Sequence, residues 1–216
     1  MYRWSDDMMA GDGHSEADDP VLHAAAEAFG EYAMLCLELI AERRADPKDD
    51  LISILTQAFD AGDLARDHKA LQGVTKEELE ERENYSSLND DELLAFLAVL
   101  LVAGNETTRN AISHGLNAFL QNPDQWALLV SDPDRYIAGA VEEILRWATP
   151  VMYFRRNATA DFELRGKTIK AGDKISLWYV SANRDEEVFD DPFRFDITRD
   201  PNPHVAFGGG GPHFCL

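Results

Sequence analysis

The chain has 216 residues, 45% of them apolar, and a formal net charge of −20. That apolar content can build a core, which excludes a disordered chain, and the acidity excludes nucleic acid and anionic membrane as partners, since both require clustered Lys and Arg. Two cysteines, Cys36 and Cys215, exclude a disulfide framework and fit a soluble protein of the reducing cytoplasm. Met1 to Asp7 lack the apolar segment of a signal peptide. The longest apolar run, Leu93 to Ala103, has eleven residues, against about 20 needed to span a bilayer, so no membrane span is expected.

Residues 1–20 are polar and acidic and read as a loop. From Asp19 to Arg44, Val21, Leu22, Ala25, Phe29, Tyr32, Ala33, Leu37 and Ile40 recur at helical spacing, with Pro20 suited to the first turn and Arg43-Arg44 to the last. Cys36 on this helix reads as a small buried thiol. A short amphipathic helix follows over Asp50 to Phe59. The charge-mixed excursion from about Asp60 to Leu88 has no assigned role. Thr75 and Glu78 could cap a helical turn within it, over Thr75–Arg82.

The longest helix is predicted from Asn89 to Asn122, stopped by Pro123. Its first half is apolar all round, which predicts burial on every side. The run then breaks into Ala103-Gly104-Asn105-Glu106-Thr107-Thr108. Burying an acid and two hydroxyls is costly unless they are paired or functional. Helices at Pro123–Val130 and Pro133–Trp147 come next, the second ended by Thr149-Pro150. Short extended runs at Val151–Phe154, Phe162–Leu164, Thr168–Ile169 and Lys174–Tyr179 are separated by Arg-Gly-Lys and Ala-Gly-Asp turns. A helical turn at Ser181–Val188 and an irregular Pro- and Asn-rich stretch lead to the end. The expected fold is mainly α with a small β region: a helical part over 20–148, sheet and coil over 151–204, and a closing loop over 205–216.

That loop reads Val-Ala-Phe-Gly-Gly-Gly-Gly-Pro-His-Phe-Cys-Leu. Four glycines permit positive φ and remove bulk, so backbone can come very close to a bound group. A lone Cys thiolate beneath a flat cofactor is how haem-thiolate enzymes hold iron. A Gly-rich tail with an incidental Cys is the alternative. A zinc site using His213 and Cys215 would need three or four ligands, and no second pair has suitable spacing.

Four separated motifs bear on the choice: Ala-Gly-Asn-Glu-Thr-Thr at 103–108, Glu143-x-x-Arg146, Pro192-x-Arg194-Phe195, and the Phe207–Cys215 loop. In this order they resemble the bacterial cytochromes P450, over residues 20–216. The resemblance implies a P450 fold with haem b, its iron held by the Cys215 thiolate. It implies His213 and Arg156, the latter opening an Arg-x-x-Thr, as haem-propionate partners. Arg155 reads as a surface charge. Phe207, Gly208, Ala103 and Gly104 are expected against the cofactor. Glu143, Arg146 and Arg194 match a buried structural cluster that locks a helix to the coil before the Cys loop.

Glu106 and Thr107 match the acid–alcohol pair that supplies protons for oxygen activation, a role suited to a relaying carboxylate and a hydroxyl that both donates and accepts. Peroxide-driven relatives usually lack this pair, so the resemblance implies dioxygen, with electrons from a ferredoxin and its reductase.

Arg-Trp-Ala-Thr-Pro-Val (146–151), Ser-Ala-Asn (181–183), Asp-Glu-Glu-Val-Phe (185–189), Pro-Asn-Pro-His-Val (201–205) and an eight-residue rather than seven-residue Phe207-to-Cys215 spacing resemble the actinobacterial sterol and methyl-branched-lipid hydroxylases. A small apolar substrate is implied, with Val102, Ala103, Val151 and Phe154 as candidate wall residues or plain core. By the same comparison, about the N-terminal half of a P450 and the helix after the Cys are missing from this sequence. That leaves a second reading, a truncated non-catalytic remnant with weak or no haem binding.

Overall fold

The computed structural model describes residues 2–11, 18–61, 63, 90–210 and 214–215. The excursion at 64–88 with its Thr75–Glu78 cap, Asn89 and His213 therefore lie outside the described residues. The chain forms two compact units, residues 1–106 and 107–216, and the boundary falls within one long helix.

The first unit opens with α1 (Tyr2–Ala10), where a loop was expected. The helical part thus begins before residue 20. Trp4 and Met8, four residues apart and so on one face, pack against the unit's core, and the Trp4 ring meets Tyr32 edge-on at 5.8 Å. α2 (Pro20–Ala45) starts at Asp19, whose side chain accepts from the Val21 N–H at 2.8 Å. Its buried stripe is Ala28, Tyr32, Cys36 and Ile40, one residue every fourth, while Phe29 and Leu37 are more than two-fifths exposed. Cys36 is the buried thiol expected, and burial pushes its pKa up. α3 (Leu51–Asp60) is capped by Asp50, which accepts from the Ser53 N–H at 2.8 Å and from Arg43 Nε at 2.6 Å. The Ser53 donation, then Arg43, hold the Asp50 carboxyl at about 2.

Helix α4 (Asp90–Gln121) supplies Leu93, Leu97, Ala98 and Leu101 to this core. Burial on every side does not hold. Val99 is 57% exposed, because only the stripe facing the core is covered.

In the second unit, α5 (Pro123–Ser131) and α6 (Pro133–Ala148) each begin on proline, as the sequence predicts. Their core with α4 contains Ala118, Phe119, Ala140, Phe195 and Ile197, with Phe119 edge-on to Phe195 at 5.2 Å. Gly139 allows coil backbone to lie on α6, since a Cβ there would collide with the Ile197 carbonyl oxygen. Thr149, with φ 41°, ends α6.

The β region consists of two antiparallel pairs. β1 (Tyr153–Asn157) pairs with β4 (Lys174–Trp178), with Arg156 opposite Ile175. β2 (Phe162–Leu164) and β3 (Lys167–Ile169) form a hairpin through Arg165-Gly166, both at positive φ. The first strand runs later than Val151–Phe154, and Tyr179 opens the four-residue α7 (Tyr179–Ala182) instead of ending β4. No helix among the described residues is long and apolar enough to cross a membrane.

Candidate functional site

Glu143 and Arg146 both face inward on α6, three residues apart, and both side chains are wholly buried. Arg146 Nε and Nη2 each donate to a different Glu143 carboxylate oxygen at 2.8 Å, a two-pronged ion pair. Arg146 Nη1 donates to the carbonyls of Asn183 at 2.8 Å and Pro192 at 2.9 Å, and Nη2 to that of Arg194 at 3.1 Å. All five guanidinium donors are therefore matched. Glu143 also accepts from the Asp196 N–H at 2.9 Å and Asn202 Nδ2 at 3.1 Å.

The third arginine is not the one expected. The Arg194 side chain is 59% exposed and lies 3.7 Å from Asp196, so only its carbonyl joins the cluster. Arg199 is the inward cation, 10% exposed, with Nε 3.4 Å from Glu143 Oε2. Phe195, Ile197 and Arg199 alternate inward in this stretch, and that two-residue rhythm is the signal that marks Arg199 over Arg194.

Asn183, unassigned by sequence reasoning beyond its Ser-Ala-Asn context, carries this cluster toward the closing loop. Its Nδ2 donates to Thr149 Oγ1 at 2.9 Å and its Oδ1 accepts from the Val205 N–H at 2.8 Å. Beside it, Arg184 donates to the Trp147 carbonyl at 2.7 Å, and burial, then the Arg146 charge, push its pKa down. His204 Nδ1 accepts from the Ala206 N–H at 3.3 Å, leaving the other ring nitrogen to donate to Glu142 at 2.8 Å. Two neighbouring acids of α6 thus hold the coil just before the loop.

In the loop, Gly208 and Gly210 both take φ 92°, a backbone state open to glycine and strained for other residues. The Cys215 N–H donates to the Phe207 carbonyl at 3.0 Å, and the Phe207 and Phe214 rings lie 6.5 Å apart. The Cys215 thiol is exposed, unlike that of Cys36. On β1, Phe154 is 50% exposed against Tyr179, and the half-buried Arg156 guanidinium lies 5.9 Å over the Phe154 ring; Arg155 is exposed and Val151 half-buried. This donor set, one open thiol and one arginine, fits a flat macrocycle that carries its own nitrogens and anionic side chains.

In the first unit, Ala103 and Gly104 are exposed, Val102 and Glu106 half-buried, and a Cβ on Gly104 would meet nothing within 4 Å. Ser5, absent from the sequence-derived residues, donates to Glu106 Oε1 at 3.0 Å. Thr107 is half-buried at the start of the second unit.

The comparisons with known proteins converge on one assignment. The family model for cytochrome P450 matches residues 19–216. The methyl-branched lipid omega-hydroxylase of Mycobacterium tuberculosis strain H37Rv is 44% identical over 218 residues, covering 100% of this chain and 45% of that protein. A steroid C26-monooxygenase of Mycolicibacterium smegmatis is 42% identical over 217 residues, covering 100% and 44%. A Mycobacterium marinum cytochrome P450 solved in complex with pseudoionone superposes with a TM-score of 0.77 at 40% identity, covering 98% of this chain and 46% of that one. The chain spans less than half the length of these relatives, and it belongs to the cytochrome P450 family.

Proposed function

We propose that residues 1–216 are part of a cytochrome P450 domain and carry the thiolate loop and the proton-delivering helix of a haem monooxygenase. Its substrate class is a sterol side chain or methyl-branched lipid, hydroxylated with dioxygen and two electrons from a ferredoxin served by its reductase. The observation that carries the reading is the open Cys215 thiol at the end of a glycine-bent loop whose approach is tied to α6 through Asn183 and the Glu143–Arg146 pair. The relatives named a methyl-branched lipid omega-hydroxylase and a steroid C26-monooxygenase support the substrate class.

In this reading the Cys215 thiolate would hold the haem iron, Arg156 and His213 would pair with the propionates, and Phe207 and Gly208 would pack against the cofactor. When bound, haem with a thiolate ligand supplies the activation of dioxygen for insertion into a C–H bond. The overall balance is substrate, dioxygen, two electrons and two protons giving alcohol and water. Glu106 takes protons from solvent and Thr107 passes them inward, each group both receiving and giving a proton. Ala103 and Gly104 leave space on that helix. Val102, Ala103, Val151 and Phe154 offer apolar wall to the substrate. The proposed setting is the cytoplasm.

The test is the spectrum of the intact gene product, reduced and exposed to carbon monoxide. A strongly red-shifted Soret band that vanishes in Cys215→Ala is expected. Absence of haem uptake overturns the proposal and leaves a P450-fold chain without its cofactor.

A further inference from the structure

The contact between Ser5 and Glu106 joins residues 101 positions apart and is made by a side chain with no solvent exposure. Ser5 Oγ accepts from Asn105 Nδ2 at 2.9 Å and donates to Glu106 Oε1 at 3.0 Å. A serine hydroxyl has one proton, and an amide NH2 group can only donate. With Asn105 directing its N–H at the oxygen, the hydroxyl proton has one direction left, toward Glu106. The neighbour that precedes the acid on α4 therefore fixes the polarity of a bond that reaches the acid from α1.

We propose that Ser5 is a positioning residue for Glu106, holding Oε1 as an acceptor and so fixing the carboxylate's orientation for proton relay. This rests on the relay reading of Glu106 and Thr107 given above. A glutamate side chain has several rotatable bonds, and proton transfer demands hydrogen-bond reach at a specific atom. The Ser5 donation removes part of that freedom. It also makes the acid's orientation depend on α1 being in place, because Ser5 is the buried residue of that helix.

The experiment uses the intact, haem-loaded protein with Ser5→Ala, Ser5→Thr, Glu106→Gln and the double variant Ser5→Ala/Glu106→Gln. Two measurements are made: peroxide released per electron with kcat and KM, and urea unfolding without turnover. Ser5→Ala is expected to lower kcat and raise peroxide release by about three- to tenfold, the factor that one hydrogen bond carries, with KM unchanged. Ser5→Thr, which retains the hydroxyl, restores both. In unfolding, the two single effects are non-additive. If Glu106→Gln uncouples the enzyme while Ser5→Ala does not, the positioning role is overturned and the relay stands. Additive unfolding effects overturn the contact itself. A Glu106→Gln enzyme with unaltered coupling removes the relay, and the role of Ser5 with it.

Discussion

Each N–H of the Arg146 guanidinium has an acceptor, two of them carboxylate oxygens of Glu143 and three of them backbone carbonyls. Glu143 must be an acid, because neutral replacements leave a buried cation unpaired. Asn183, Pro192 and Arg194 contribute only carbonyls to it. The arginines that follow separate by burial. Arg199→Ala removes a nearly buried cation from Glu143 and is expected to cost about 2 kcal/mol, while Arg194→Ala stays within about 0.5 kcal/mol, as exposed substitutions do. Denaturant midpoints of the two variants decide this; equal losses would return Arg194 to the cluster. The Pro192-x-Arg194-Phe195 motif points to Arg194, while the inward alternation of Phe195 and Ile197 points to Arg199. Both lie within a few residues on an irregular coil, and which one turns inward follows from the path that Phe195 and Ile197 take into the core.

At the scale of elements, one substitution tests two helices with opposite signs. Gly30 lies in α2 with open space around a Cβ, so Gly30→Ala is expected to stabilise by about 1 kcal/mol through helix propensity. Gly139→Ala on α6 drives a methyl onto the Ile197 carbonyl and is expected to destabilise by about 1–3 kcal/mol. Thermal unfolding measures both, and a stabilised Gly139→Ala would mean that the coil does not lie on α6. The start of α3 carries a pH signature. The Asp50 carboxyl is held at about 2, below its ordinary 3.8, by the Ser53 N–H and then Arg43. The carboxylate therefore supports the fold fully above about pH 4, and that support is lost as pH falls toward about 2. Asp50→Asn should flatten the acid limb of unfolding stability in that window; an unchanged limb assigns it to other carboxylates.

These helices were legible because their starts are written in local chemistry: Pro20, Pro123 and Pro133 at first turns, Asp19 and Asp50 as caps. α1 has no such mark. Its core contribution is Trp4 and Met8, set among charged residues with no proline or cap to mark a start, and it is helical because α2 and the first core receive that face. Ser5 was hidden for the same reason.

For the molecule as a whole, two hydrophobic clusters serve two units, one built on Leu93, Leu97 and Leu101, the other on Phe119, Phe195 and Ile197. Motif order identified the family, because four short patterns in sequence are far more specific than any one. Geometry then corrected the third arginine and added Asn183. The coil from 183 to 202 has little regular hydrogen bonding of its own, and a side chain supplies the order that a sheet partner would otherwise give. Arg146 therefore reads that coil as a curve and not as a spelling. At 192 and 194 it recognises where the main chain passes, so the exposed side chain at 194 is free to change while the route to the closing loop stays the same.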